Sequence, residues 1–151
     1  MKVLCVRQPW AHAIIYGKKN VENRTWATTY RGPMLIAASA GKITARRWEL
    51  IQKYLAERKA KIELSDLQYG GIIGMVELAE CLDKDSRLKE GDTMERYESF
   101  QTVNNSKWAQ GPVYWVLRKP KPLPFIPIKR TLGLFDPSPN VKAKLKKLDV
   151  L

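Results

Sequence analysis

The sequence predicts an α+β domain: a small closed or nearly closed barrel of about five or six mixed strands, flanked by two or three helices. Three observations lead there. Short apolar runs of strand character recur at residues 2–7, 20–26, 34–39, 71–82 and 113–118. Two segments, 10–16 and 44–59, instead carry apolar residues at helical 3- and 4-residue spacing. A chain of 151 residues buries one core without disulfides or metal, and closing the sheet on itself is the natural way for it to avoid exposed edges.

Each element has its own signal. Residues 2–7, KVLCVR, read as a strand. Pro9 suits the first turn of a helix, where a missing N–H costs nothing. Trp10, Ala13 and Ile14 form its apolar face, and Gly17 is its expected stop. Residues 20–26 alternate, with Val21 on one side and Asn20, Glu22 and Arg24 on the other. Gly32-Pro33 marks a turn before MLIAAS, residues 34–39, a continuously apolar and therefore central strand. Thr44 is a fair N-cap for the clearest helix, whose stripe is Trp48, Ile51 and Leu55. Residues 71–82 form a long strand whose small residues admit bulges. The acidic stretch 83–106 is expected to be a variable loop with a little helix. VYWVLR, residues 113–118, is a further strand, and Pro120, Pro122, Pro124 and Pro127 then predict a polyproline-type segment. Residues 131–136 are a closing strand or turn. The chain divides into a domain over 1–140 and a basic C-terminal helix or tail over 141–151.

Composition narrows the function classes. The net charge is +12. Residues 1–31 hold six basic and one acidic residue, and residues 117–147 hold nine basic and one acidic, whereas residues 83–98 hold four basic and six acidic. If the two ends meet in space they make one positive face, the footprint of a polyanion binder. The alternative is a merely solvated surface. No apolar run approaches a membrane span, and the N-terminal strand does not read as a signal peptide. Cys5 and Cys81 sit in apolar strand contexts and read as buried thiols, which points to a reducing, cytoplasmic compartment.

The most informative stretch runs from Gln8 to Ser39. It contains Gly17, Lys19, Glu22 and Arg24 in the spacing G-x-K-x-x-E-x-R, preceded by Gln8-Pro9-Trp10 and followed by Trp26 and Tyr30-Arg31-Gly32. Further on stand Gly71-Ile72-Ile73-Gly74, Trp115 and Gly133-Leu134-Phe135. In these residues the chain resembles the ASCH family, in particular its activating signal cointegrator branch. The resemblance covers most of the chain, with the acidic middle outside it. It implies a PUA-like barrel with a cleft lined by the hallmark residues. It also implies RNA or nucleotide recognition, and in some members hydrolysis: amidohydrolases acting on acetylated cytidine, and ribonuclease activity.

The same residues have a physical reading. Glu22 and Arg24 are two apart on a strand, so they share a face and can pair, either as a structural pair or as part of a site. Lys19, in or beside a turn, is positioned to contact phosphate or a carbonyl. Trp10 and Trp26 offer flat faces for stacking or pack into the core, while Gln8 and Ser39 offer base-edge hydrogen bonds or local caps. Arg31 adds a cation. The expected ligand-binding set is thus Gln8, Trp10, Lys19, Glu22, Arg24, Trp26, Arg31 and Ser39. Backbone attraction is expected from Lys129, Arg130, Lys142, Lys144, Lys146 and Lys147.

Usual catalytic engines are absent from the sequence. His12 is the only histidine, no ligand cluster has metal spacing, and no glycine-rich phosphate loop precedes a helix. No cofactor is expected. The amidohydrolase branch keeps a threonine three residues after the hallmark lysine, where this chain has Glu22, and alternation points Thr25 to the opposite face. If the chain is an enzyme, Lys19, Glu22 and Arg24 would act on RNA, which supplies its own 2′-hydroxyl nucleophile. The leading expectation is a monomeric binder of RNA or single-stranded nucleic acid. A metal-independent hydrolase and a protein-interaction module are the alternatives.

Overall fold

The computed structural model describes residues 1–151. Six strands form one mixed sheet: β1 (Lys2–Val6), β2 (Val21–Arg24), β3 (Gly32–Ala38), β4 (Gly71–Asp83), β5 (Val113–Pro127) and β6 (Leu134–Phe135). Their order across the sheet is β2-β5-β4-β3-β1-β6. Only β1 and β3 run parallel, and the α1 helix (Trp10–Tyr16) lies in the connection between β1 and β2. The sheet curls into a half-barrel. Its two ends meet: β6 covers the edge of β1 only at Val3 and Leu4, and one residue further on the Arg24 guanidinium of β2 donates to the Cys5 carbonyl at 2.9 Å.

The continuously apolar run in β3 follows from burial on both faces. Met34, Ile36 and Ala38 point into the curl, against Leu4, Val6, Ile14, Val76 and Trp115. Leu35 and Ala37 point outward, onto Val3, Ile72, Val141 and Leu145. The outward layer is supplied by α4 (Pro139–Lys147), capped by Ser138. The basic end of the chain is therefore a helix that starts at residue 139 and closes the core with Leu145, which is fully buried.

Helix α2 (Ala45–Glu57) has its predicted cap, the Thr44 hydroxyl accepting the Arg47 N–H at 3.2 Å. Leu55 packs with Ala13, Val21 and Trp108. A single 3-10 turn, Leu64–Asp66, precedes β4. In three other places the structure differs from the sequence expectation. The acidic middle holds a full helix, α3 (Met94–Asn105), whose weak apolar periodicity hid it from pattern reading. This brings the flanking helices to four. The proline-rich segment belongs to β5: Pro120, Pro122 and Pro124 have period two, which aligns their missing donors on one edge while β4 pairs along the other through bulges. At the end of α1 the left-handed residue is Lys18 (φ 59°), not Gly17 (φ −108°). Gly17 is favoured for space, since a Cβ there would lie 3.0 Å from the Ala13 Cα, a tight contact.

Candidate functional site

Strand parity places the hallmark. Glu22 pairs directly with Trp115 across β2 and β5, and directly opposed residues point to the same face. Trp115 lies in the cluster that fills the curl, so Glu22 points inward as well, at the seam where β2 meets β1. Two residues along, Arg24 shares that face. The alternating strand expected over residues 20–26 is shorter, Val21–Arg24, and within it Glu22 and Arg24 share a face as the alternation predicts.

The three hallmark side chains form one chain of ion pairs. The Lys19 ammonium lies 3.0 Å from Glu22 Oε1, and Arg24 Nη2 lies 3.2 Å from Glu22 Oε2. Each cation also donates to a main-chain carbonyl, Lys19 to Val21 and Arg24 to Cys5. Lys19 and Glu22 are only 5% and 8% exposed. Burial pushes the Lys19 ammonium below the ordinary lysine range. The Glu22 charge and hydrogen bond oppose that shift, and the Arg24 charge adds to it. Arg24 Nε is buried without a partner, the kind of orphan donor that costs stability. The turn before Lys19 is set by main-chain bonds, with the Gly17 and Lys19 N–H groups both donating to the Ala13 carbonyl.

Two cavities meet at this network and share Trp10, Glu22 and Asn23 in their walls. The first, of about 510 Å³, is walled by Trp10, Ile51 and Tyr54 and reaches Glu22, Arg47 and Gln110. The second, of about 340 Å³, brings Arg7, Arg24 and Arg130 around Glu22 and Ser39. Both volumes lie in the range of small-ligand sites. Asn23 touches both and holds the wall of the first: its amide donates to the Trp108 carbonyl, and its oxygen accepts the Gln110 and Gly111 N–H groups. Tyr54 carries the Arg58 guanidinium 3.3 Å from its ring centroid and meets Trp10 edge-on at 5.5 Å.

The structure thus brings Trp10, Lys19, Glu22, Arg24 and Ser39 together, and adds Arg130. It leaves three of the expected ligand residues elsewhere. Gln8 is turned inward, donating to the Gln68 carbonyl and accepting the His12 N–H. Trp26 packs edge-to-face on Trp115 at 4.8 Å, and its carbonyl accepts the Trp115 indole N–H. Arg31 pairs with Glu80 at 2.5 Å, away from the cleft. Lys142, Lys146 and Lys147 are exposed on α4, while Lys129 and Lys144 border a separate hollow beside β6. Arg7, Asn23, Arg47, Tyr54 and Gln110 were not singled out from sequence. For Arg47, Ile51 and Tyr54 a signal existed, since they stand at i, i+4 and i+7 on one face of α2. Nothing in the sequence marked Gln110, which the Asn23 contacts bring to the rim.

Comparison with known proteins agrees with this architecture. A family model described as the ASCH domain matches residues 4–124. Activating signal cointegrator 1 of Homo sapiens is 39% identical over 83 residues, 54% of this chain and 14% of that protein. Its Mus musculus counterpart is 35% identical over the same length. The chain therefore matches only a small part of these relatives. Among solved structures, the crystal structure of ASCH from Zymomonas mobilis has a TM-score of 0.52 at 16% identity, covering 97% of this chain and 94% of that one. A point mutant of the same protein superposes with a TM-score of 0.51, also at 16% identity. At that identity the likeness shows the fold, which is PUA-like.

Proposed function

The chain belongs to the ASCH domain family, and from that premise we propose that it binds RNA or other single-stranded nucleic acid, seating an unpaired base or a nucleotide in the cleft of Lys19, Glu22 and Arg24. The observation that carries the reading is a pair of cavities sharing Trp10, Glu22 and Asn23, the first walled by aromatic and amide side chains beside Arg47 and Lys19, the second ringed by Arg7, Arg24 and Arg130. That asymmetry suits a base in the first and its phosphate in the second. Glu22 uses one acceptor position on each oxygen. A carboxylate has about four in all, so it keeps capacity for a base amino group. Lys19 and Arg24 hold it rigidly in place, and the Trp10 indole supplies a wall or stacking face. Lys129, Lys144 and the α4 lysines would add backbone attraction once β1 and β6 have brought the two basic ends together. The two unpaired thiols suit a reducing compartment.

A second reading has its own observation. Lys19 is pushed toward neutrality by burial, which a general base requires. The threonine nucleophile of the amidohydrolase branch is replaced by Glu22, and Thr25 is exposed and outside both cavities. This hydrolytic reading therefore rests on RNA as the substrate.

One experiment separates these. Labelled single-stranded RNA is titrated between low and moderate salt, with a parallel incubation in chelator to detect cleavage. Binding is expected to weaken with a log–log slope of about −0.7 per phosphate neutralised, and Glu22→Ala is expected to alter base preference. A flat salt response refutes the polyanion reading. Unchanged preference in Glu22→Ala refutes the cleft as the base site. Cleavage lost in Lys19→Ala supports the hydrolytic reading.

A further inference from the structure

A third cavity, of about 360 Å³, opens between the end of α1 and the middle of β5. Its floor is apolar, made by Ile14, Val76 and Leu117, which are buried. Its rim carries Lys18, Arg118 and Lys119, and it shares Lys19 with the cleft described above.

Lys119 occupies a position that the backbone disfavours on two counts. It adopts a left-handed conformation, φ 51°, inside β5, which is costly for any residue with a Cβ. It also precedes Pro120, which drives its neighbour toward extended conformations. The cause is a β-bulge. Glu77 pairs with Arg118 and Met75 with Lys121, so Lys119 and Pro120 together stand opposite Val76. Glycine is the usual occupant of such a left-handed bulge position. The other left-handed lysine of the rim, Lys18 at φ 59°, ends α1 where glycine is again the usual residue. Two lysines at glycine-type positions thus border one cavity. Strained residues of this kind gather at ligand clamps, and bulges re-aim side chains.

The surrounding charges leave this rim receptive. Arg118 is tied to α3, donating to the Ser99 hydroxyl and the Glu95 carbonyl and pairing loosely with Glu98 at 3.5 Å. It forms a fixed wall. Lys119 meets Glu77 at 3.3 Å, an exposed pair that a stronger anion can replace. Lys18 makes no ion pair in the structure. An apolar floor below exposed ammonium groups fits a phosphate carried on a partly apolar body.

We infer that this cavity is a second anion site that takes a nucleotide phosphate through Lys18 and Lys119, with the sugar or base resting on Leu117 and Pro120. The inference rests on the nucleic-acid reading above for its ligand class. The phosphate has two possible sources, a neighbouring nucleotide of the same strand or a free mononucleotide.

The test uses the full chain and the double variant Lys18→Gly/Lys119→Gly. Glycine relieves both left-handed residues, so the fold is retained and thermal unfolding reports that directly. Two probes are titrated: a single-stranded RNA of about twelve nucleotides, within the span that small sheet domains bind, and adenosine 5′-monophosphate. Loss of roughly three- to tenfold in RNA affinity is expected, with a salt slope shallower by about 0.7 per lysine removed. If only RNA binding falls, the phosphate belongs to the strand; if mononucleotide binding falls as well, the site takes a free nucleotide. Unchanged affinity for both probes overturns the inference. So does an equal loss in Lys84→Ala/Lys89→Ala, which removes two distant cations. Glu22→Ala is run beside these: if it binds as wild type while the glycine pair is weakened, the cleft reading fails and the second site stands. Failure of the wild-type chain to bind either probe overturns both.

Discussion

Replacing Glu22 by glutamine removes the one anion that holds two cations at the seam of the half-barrel. Its oxygens lie 3.0 Å from Lys19 and 3.2 Å from Arg24, and the Lys19 side chain is 4% exposed against 24% for Arg24. Breaking a buried pair from one side costs about 3–5 kcal/mol. Because Arg24 is partly solvated its share is smaller, so Glu22→Gln is expected to cost about 3 kcal/mol. For a chain of this size that is a fall in Tm of roughly 6–12 °C. The deficit also depends on pH. Burial already lowers the folded pKa of Lys19 below its ordinary 10.5, and losing the Glu22 charge lowers it further. Between that folded value and 10.5 the unfolded chain binds more protons than the native one, so stability rises with pH. Thermal unfolding of wild type and variant at several values from about pH 7 to pH 10 is therefore expected to show the gap closing as pH rises. Adding Lys19→Met to the variant should recover part of the loss, a coupling of about 1–3 kcal/mol. A Tm equal to wild type at neutral pH, or a gap that widens as pH rises, refutes the account of the network.

Other expectations concern the scaffold. Glu80 is drawn up by burial but held below its ordinary 4.5 by hydrogen bonds from Arg31 and the Cys81 N–H and by the Arg31 and Arg96 charges. Its stabilisation is therefore full above 4.5 and is lost as pH falls through the lower folded value. Glu80→Gln should cost about 1 kcal/mol near neutrality and flatten the acid limb of an unfolding series. Gly74→Ala would place a Cβ 2.6 Å from Ile15 Cδ1 and 2.8 Å from the Lys121 carbonyl oxygen. Since a paired strand yields little, about 1–3 kcal/mol should be lost in denaturant unfolding. Leu145→Ala should cost about 2–5 kcal/mol because α4 closes the outer core; a Tm unchanged by it would mean that the helix is only appended.

How far the site was legible depended on how local its geometry is. The pairing of Glu22 with Arg24 needs only strand parity, which sequence alternation reports. The placement of Trp10 beside them needs only a short helix after β1. Trp26 and Gln8 are different. Whether an aromatic two residues beyond Arg24 faces solvent or Trp115 depends on where β5 passes, and β5 lies some ninety positions later in the chain. Gln8 turns inward to donate to the Gln68 carbonyl, which the long β3–β4 connection brings close. Helix α3 and the proline-bearing half of β5 were obscured for related reasons. The first lacks a strong apolar stripe, and the second contains residues that strands accept only on an unpaired edge.

The hallmark spacing, the distribution of charge, the strands β1 to β4 and the helices α1 and α2 were determined by sequence alone, because each depends on residue type and short-range periodicity. The continuous apolarity of β3 also announced its central place before its partners were known. Tertiary structure decided the rest. The curl of the sheet carries the edge of β2 to the edge of β1 and so turns three charged residues into a buried network. The 108–111 loop and the face of α2 then close one cavity, and residues 130–133 close the other. A bulge opposite Val76, invisible in any residue pattern, sets Lys119 at the rim of a third. Those outcomes rest on contacts between distant segments, and chain sterics and the curvature of the sheet select them only when the whole fold is assembled.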